Sequence, residues 1–326
     1  MSHETPTLKL SLSLDLDNLW CYLKMRGDDT WKKFPSYYSH FIPQALDYFD
    51  ALDLKLTFFI VGKDASQSEN HDLLKEIVKR GHDIANHSFS HDPTMQYFTK
   101  EDIEADILQA EEAIYAATGV RTDGFRGPGF CFNQTICEVL TKHNYLYDSS
   151  LFPTIISPLA RLYYHYKASL SQESQSQSKA LYGNLRDGFR SPKDHVLNCA
   201  QGNIYELPVT TMPFLKLPFH QSYLFYLYQK SPKIMSLYLS TAISLCRFSR
   251  TEPNFLLHPT DILGYESVPE LKFFPGMKLP TEQKKEVLNQ IISEFKKHFY
   301  IVTMKEKVKG IHEKNLVRAG DKTRSD

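Results

Sequence analysis

From Leu8 to Asp17 the chain alternates without a break. Leu8, Leu10, Leu12, Leu14 and Leu16 take one face, and Lys9, Ser11, Ser13, Asp15 and Asp17 take the other. A period of two belongs to a strand, and five leucines on one side predict a covering layer of helices. The small serines suit a tight barrel interior, and the two acids at the C-terminal end fall at the mouth, where such folds keep their chemistry. Residues 54–61, closed by Gly62, predict a second strand, with a helix over 34–52 between the two. A helix over 71–80 stops at Gly81, and a brief strand over 83–85 follows. Thr99 caps a helix whose stripe runs through Ile103, Ile107, Ala110 and Ile114 to Gly119. A helix over 133–142 then leads to a strand-like 145–150. Strand, helix and strand repeating in this way predict an α/β fold with a parallel sheet.

The pattern lapses between 152 and 203, where residues 172–179 are low-complexity and read as an inserted excursion. It returns with strands over 204–209, 254–258 and 300–304 and a helix over 281–297. We therefore expect one barrel over 1–310 and a polar tail over 311–326. Residues 217–229 and 234–246 are uncharged, rich in aromatic and aliphatic side chains, and bracketed by Lys216, Lys230, Lys233 and Arg247. They read as two buried barrel elements with solvated ends. The alternative is an amphipathic surface that touches a membrane or a lipid-linked substrate. Neither reaches the ~18–20 apolar residues that span a bilayer.

Composition narrows the partners. The chain has 326 residues, and Lys+Arg and Asp+Glu balance at 38 each, so nothing favours nucleic acid. The first residues lack the basic start and apolar run of a secretion signal. Five cysteines (Cys21, Cys131, Cys137, Cys199, Cys246) are scattered, odd in number and never spaced C-x-x-C. That pattern argues for a reducing compartment and against a thiolate metal site, with the cytoplasm as the default address.

The chemistry sits at five places. Asp15 and Asp17 share one face about 6.5–7 Å apart and repel unless a cation lies between them. The bland reading makes them helix-capping acids. His87 and His91 come within about 5–6 Å if the backbone between them turns helically, and stay about 13 Å apart if it is extended. Alone they read equally well as a solvated loop. Two imidazoles beside a carboxylate make a divalent-metal site with room for water, and the spare acid is placed to take that water's proton. Arg126, in a loop that breaks all periodicity, is either an exposed turn residue or a guanidinium that grips and aims a catalytic carboxylate. His258 ends an apolar strand before Pro259, and is either structural or a general acid at the mouth. Asp148 is either a turn-starting acid or a site residue.

Taken in order, Ser13-Leu14-Asp15-Leu16-Asp17, His87-Ser88-Phe89-Ser90-His91, Phe125-Arg126-Gly127-Pro128-Gly129, Tyr147-Asp148-Ser149-Ser150 and Leu256-Leu257-His258-Pro259 resemble the five motifs of the NodB-type polysaccharide deacetylases, a carbohydrate esterase family. The resemblance runs from Leu8 to His258 and implies a distorted, incomplete (β/α) barrel. It implies that Asp17, His87 and His91 hold one divalent metal, commonly zinc. It makes Asp15 the general base, Arg126 the residue that orients it, His258 the general acid and Asp148 the orienter of His258. Leu256, Leu257 and Pro128 border the substrate. The implied reaction removes an N-acyl group, N-acetyl above all, from an amino sugar of a glycan or its precursor. Leu16 separates the two acids, which many members carry side by side. That spacing resembles an intracellular branch acting on small, lipid-linked or cyclic-amide substrates, some of whose members work without metal. Deformylation, cyclic-amide hydrolysis and a silent glycan-binding barrel are the competing expectations, with action at the inner membrane face as a corollary.

Overall fold

The computed structural model describes residues 7–156, 190–274 and 276–311. The alternating segment forms β1 (Lys9–Leu16), which pairs with three other strands near one end of the sheet. Parallel strands β2 (Thr57–Ile60), β3 (Asp83–Asn86), β4 (Gly124–Phe125) and β5 (Tyr147–Asp148) follow on one side. Beyond them lies an antiparallel pair, β6 (His195–Cys199) and β7 (Gly202–Glu206), with β7 parallel to β5. On the other side of β1 stands β8 (Asn254–Leu257), and β9 (Tyr300–Val302) pairs with β1 at Lys9 to Ser11. The strand order β6-β7-β5-β4-β3-β2-β1-β8 leaves the curled sheet open, which is the incomplete barrel expected.

The predicted division of β1 holds. Leu10, Leu12, Leu14 and Leu16 are buried in the main apolar cluster under the helical layer. Its helices include α1 (Leu19–Arg26), α2 (Tyr38–Ala51) and the short α3 (Gly62–Ala65). Next come α4 (His71–Lys79), α5 (Lys100–Thr118) and α6 (Gln134–Lys142). Thr99 caps α5 by accepting from the Asp102 amide at 3.2 Å. Ser11 and Ser13 turn inward, where Ser11 Oγ donates to Asn254 Oδ1 at 2.6 Å. Phe59, Ala85, Tyr147, Leu207 and Met304 fill the interior.

Two of these expectations about the elements need correction. The excursion over 152–203 is not irregular to its end, since β6 lies inside it. Its low-complexity stretch and the polar tail beyond 311 lie outside the described residues. The two uncharged segments are not enclosed barrel elements but amphipathic helices, α7 (Gln221–Lys230) and α8 (Pro232–Ser249). Each buries one face, Leu224 and Phe225 on α7, and Met235, Leu239, Ala242, Ile243 and Cys246 on α8. Helical periodicity turns the opposite face outward. No helix among the described residues is long and apolar enough to cross a membrane. The last long helix, α9 (Thr281–His298), packs beside α8.

Cys137 on α6 and Cys199 on β6 form a disulfide, while Cys21, Cys131 and Cys246 are free and buried. Partners 62 residues apart carry no local spacing signal. Closing a loop of that length stabilises a fold by about 2–4 kcal/mol. We expect Cys137→Ser to lower the melting temperature, and dithiothreitol to do the same to the unmutated chain but not to the variant.

A candidate metal and acid–base site at the sheet's mouth

Asp15 and Asp17 leave the end of β1 together, and both are buried. The chain turns at once into α1, where Asn18 Oδ1 caps the Leu19 amide at 2.8 Å. The Tyr37 hydroxyl donates to the Asp17 carbonyl and the Tyr38 hydroxyl to the Leu16 carbonyl, which pins this corner.

His87 and His91 converge, but not by the helical turn expected. Ser88 (φ 62°) and His91 (φ 46°) are left-handed, and these two reversals fold the loop back on itself. The ring centroids end 5.1 Å apart. Backbone strain of this kind persists only where surroundings impose it. Asp106 of α5 does so, accepting from the Phe89 amide at 2.8 Å and the Ser90 amide at 3.0 Å. Asn86 Oδ1 accepts from the Ser88 amide at 2.8 Å. His87 Nδ1 lies 2.6 Å from the Arg126 carbonyl, which can only accept, so Nδ1 carries the proton and Nε2 is left for the site.

One ligand atom from each of Asp17, His87 and His91 fits within a 4.8 Å cluster. Asp17 Oδ1 lies 2.9 Å from His91 Nε2 and 3.4 Å from His87 Nε2. The same buried oxygen nevertheless lacks a well-formed hydrogen bond. An orphaned carboxylate oxygen facing two imidazole nitrogens is what a divalent cation satisfies, and one carboxylate with two imidazoles is a fitting donor set. Burial alone raises the Asp17 carboxyl, but His91 and His87 outweigh it and hold it well below the usual range. Burial likewise opposes charge on His87, and Asp15 and Asp17 overcome it, raising His87.

Asp15 stays outside that cluster with a different partner. Its Oδ1 accepts from Arg126 Nη1 at 2.5 Å. Arg126, fully buried, also donates from Nη1 to Ser13 Oγ at 3.0 Å, from Nε to the Ser149 carbonyl at 3.0 Å, and from Nη2 to Ser149 Oγ at 2.8 Å. Its guanidinium sits 4.0 Å from the Phe59 ring centre. Five fixed contacts leave it one orientation, and that orientation aims Asp15. Gly127 allows the loop its path, since a Cβ there would lie 2.2 Å from the Cys131 carbonyl oxygen. Pro128 is buried at the start of a single 3-10 turn.

His258 Nε2 lies 4.0 Å from Asp15 Oδ2, and a fifth of its side chain is open to the mouth. Asp148 is not its partner. Asp148 accepts from Ser150 Oγ at 2.6 Å, and Ser150 Oγ accepts from the Gly127 amide at 2.8 Å, so Asp148 braces the Arg126 loop. Across the β5–β7 register it meets Glu206, and burial raises both carboxyls. The acid beside His258 is Asp261. Its Oδ2 accepts from the His258 amide at 2.9 Å and lies 3.7 Å from Nδ1. Ser222 Oγ of α7 donates to its Oδ1 at 2.9 Å. Burial opposes charge on His258, but Asp261 and then Asp15 outweigh it and raise its pKa to about 9.

The two leucines separate. Leu256 aligns with inward Ser13, and Leu257 aligns with Leu14 in the helix-covered cluster. Neighbours in a sheet share a face, so only Leu256 faces the interior, and Leu257 leaves the list of pocket residues. The sequence reading missed Asn18, Asp106, Asp261 and Asp64. Asp64 accepts from Trp20 Nε1 at 3.0 Å, and Trp20 lies edge-on to His91 with 6.1 Å between ring centres. Burial raises Asp64 to about 7. The i,i+3 spacing of His258 and Asp261 was the one local signal available for these.

Residues 27–147 match the family model described as polysaccharide deacetylase, a span that includes His87, His91 and Arg126 but neither Asp15, Asp17 nor His258. A peptidoglycan deacetylase of Helicobacter pylori is 30% identical over 117 residues, covering 36% of this chain and 39% of that protein. A chitooligosaccharide deacetylase of Sinorhizobium fredii is 32% identical over 77 residues, covering 24% and 34%. The matched part thus spans less than half the length of these curated relatives. A solved structure of a candidate polysaccharide deacetylase from Mycobacterium smegmatis superposes with a TM-score of 0.59 at 16% identity, over 96% of this chain and 92% of that one. At that identity the likeness speaks to the fold alone.

Proposed function

Because this chain carries a polysaccharide deacetylase domain of the NodB type, we propose that it is a metal-dependent hydrolase that removes an N-acyl group, most simply acetyl, from an amino sugar of a glycan. One observation carries the proposal. Asp17, His87 and His91 form a ligand cluster within 4.8 Å, and the Arg126-held Asp15 stands beside it as a separate acid. A divalent cation held by those three residues supplies Lewis-acid polarisation of the acyl carbonyl and a lowered pKa for water.

The remaining work belongs to the chain. Asp15, aimed by Arg126, accepts the proton of the attacking water. His258 starts protonated at neutral pH and donates to the departing nitrogen, so the sugar leaves as a free amine and not as an amide anion. With 4.0 Å between Asp15 Oδ2 and His258 Nε2, acid and base flank one small reacting centre. Leu256, on the inner face, suits the methyl of an acetyl group.

The test is acetate release from N-acetylated chito-oligosaccharides and peptidoglycan fragments, with free amine counted in parallel. We expect release after loading with zinc or cobalt and its loss on chelation. The same assay with formylated sugars and cyclic amides tests the narrower alternatives. A metal-loaded protein that releases nothing from any of these would overturn the proposal.

A further inference from the structure

From Leu207 to Thr251 the chain contains no Asp or Glu, although acids and bases balance over its whole length. The same segment holds Lys216, Lys230, Lys233, Arg247 and Arg250. It also exposes large apolar side chains. Phe248 is 80% exposed, Leu237 70% and Phe214 66%, and Ile234 and Leu215 are open as well. Ile234, Leu237, Thr241 and Phe248 follow the helical repeat along the outward side of α8. Phe214 meets Phe248 with 6.3 Å between ring centres. The Ile155 amide donates to the Lys216 carbonyl at 3.2 Å, which brings exposed Ile155 to the same place. Lys193 Nζ donates to the Ser249 carbonyl at 2.6 Å and adds another cation next to Phe248.

We propose that this face of α8, with residues 214–216, is a docking surface for an anionic lipid bilayer. Exposed Phe, Leu and Ile ringed by Lys and Arg is the composition of helices that lie in the bilayer interface, where apolar side chains enter the acyl boundary and cations meet headgroup phosphates. Contiguous exposed apolar surface marks a binding site in a soluble fold. The charge decides the occupant. A second copy of this chain would set Lys and Arg against Lys and Arg across a two-fold axis, whereas an anionic surface complements them. The flank of α8 that faces α9 lines a cleft with Met235, Leu239 and Ile243 beside Ser236, Ser240 and Ser244, so the helix's packing side is distinct from the exposed stripe of Ile234, Leu237 and Phe248. On α7, which packs beside α8, a further set of aromatic rings is linked. Ring contacts run from Tyr226 through Tyr223 and His220 to Phe152, at 6.0, 6.4 and 5.5 Å between centres.

The experiment is co-sedimentation of the full chain with vesicles of phosphatidylcholine alone and of phosphatidylcholine with phosphatidylglycerol. We expect binding to the anionic vesicles only, weakening as salt rises. Phe248→Ser and Leu237→Ser should each lower the partition coefficient about tenfold. Lys233→Glu should lower it by at least about fivefold. All three positions are exposed, and unchanged melting temperatures will show that the fold is intact. Absence of binding to anionic vesicles at low salt overturns the proposal. So does a concentration-dependent dimer that Phe248→Ser dissolves, which would give the face to a second copy.

Discussion

Asp15→Asn will keep its divalent cation and lose turnover by about 10²–10⁴-fold, the usual worth of a positioned general base. The amide oxygen of Asn can still accept from Arg126 Nη1, so the loop geometry is preserved, but no group remains to take a proton from water. Asp17→Asn will behave differently. It weakens the oxygen that faces His87 Nε2 and His91 Nε2, and metal content after dialysis should fall along with activity. Arg126 makes the contrast informative. Its guanidinium is fully buried and, among the described residues, forms its ion pair with Asp15, and removing the partner of a buried charge costs about 3–5 kcal/mol. Some loss of melting temperature is therefore expected in Asp15→Asn. Metal content and kcat measured at a temperature where the variant is fully folded separate that loss from lost chemistry. Full metal occupancy with undiminished kcat would remove Asp15 from the base role.

How much of this could be read from the chain differs from part to part. The β1 alternation determined which residues faced the helices and which faced the site, because a strand has only two faces and Leu occupied one of them without exception. Elements with a continuous stripe and a cap, such as α5, were equally legible. The His87–His91 convergence was legible only as a pairing. Its geometry depends on left-handed Ser88 and His91, held by Asp106 from a helix nearly twenty residues away, and no local rule supplies that. The Cys137–Cys199 bridge and the Asp148–Glu206 contact are products of sheet order, which places β7 beside β5 across a long separation in sequence. For α7 and α8 the absence of charge was read as enclosure. The structure shows that an uncharged helix can leave half of its circumference open.

His258→Gln should cost about 10²–10⁴-fold in kcat, and the shape of the pH profile will say which acid serves it. His258 works as an acid only while protonated, and Asp261 and Asp15 raise its pKa to about 9. Activity should therefore persist through neutrality and fall as pH rises through that value. Asp261→Asn removes the larger of the two raising influences while leaving an oxygen to accept from the His258 amide. Losing a carboxylate at this distance lowers a neighbour's pKa by about 1–3 units, so the basic limb of kcat should move toward acid by that amount. Asp148→Asn is the control, because its carboxyl braces Ser150 and Gly127 and does not meet the imidazole. It should lower stability and leave the basic limb in place. The stability sign follows the same shift. A histidine raised from 6.5 to about 9 stabilises the fold fully below its unfolded value, and that contribution is lost as pH climbs through 9. Asp261→Asn should flatten this alkaline loss in thermal melts. If Asp148→Asn moves the limb and Asp261→Asn does not, the pairing of Asp261 with His258 is not the one that operates in turnover.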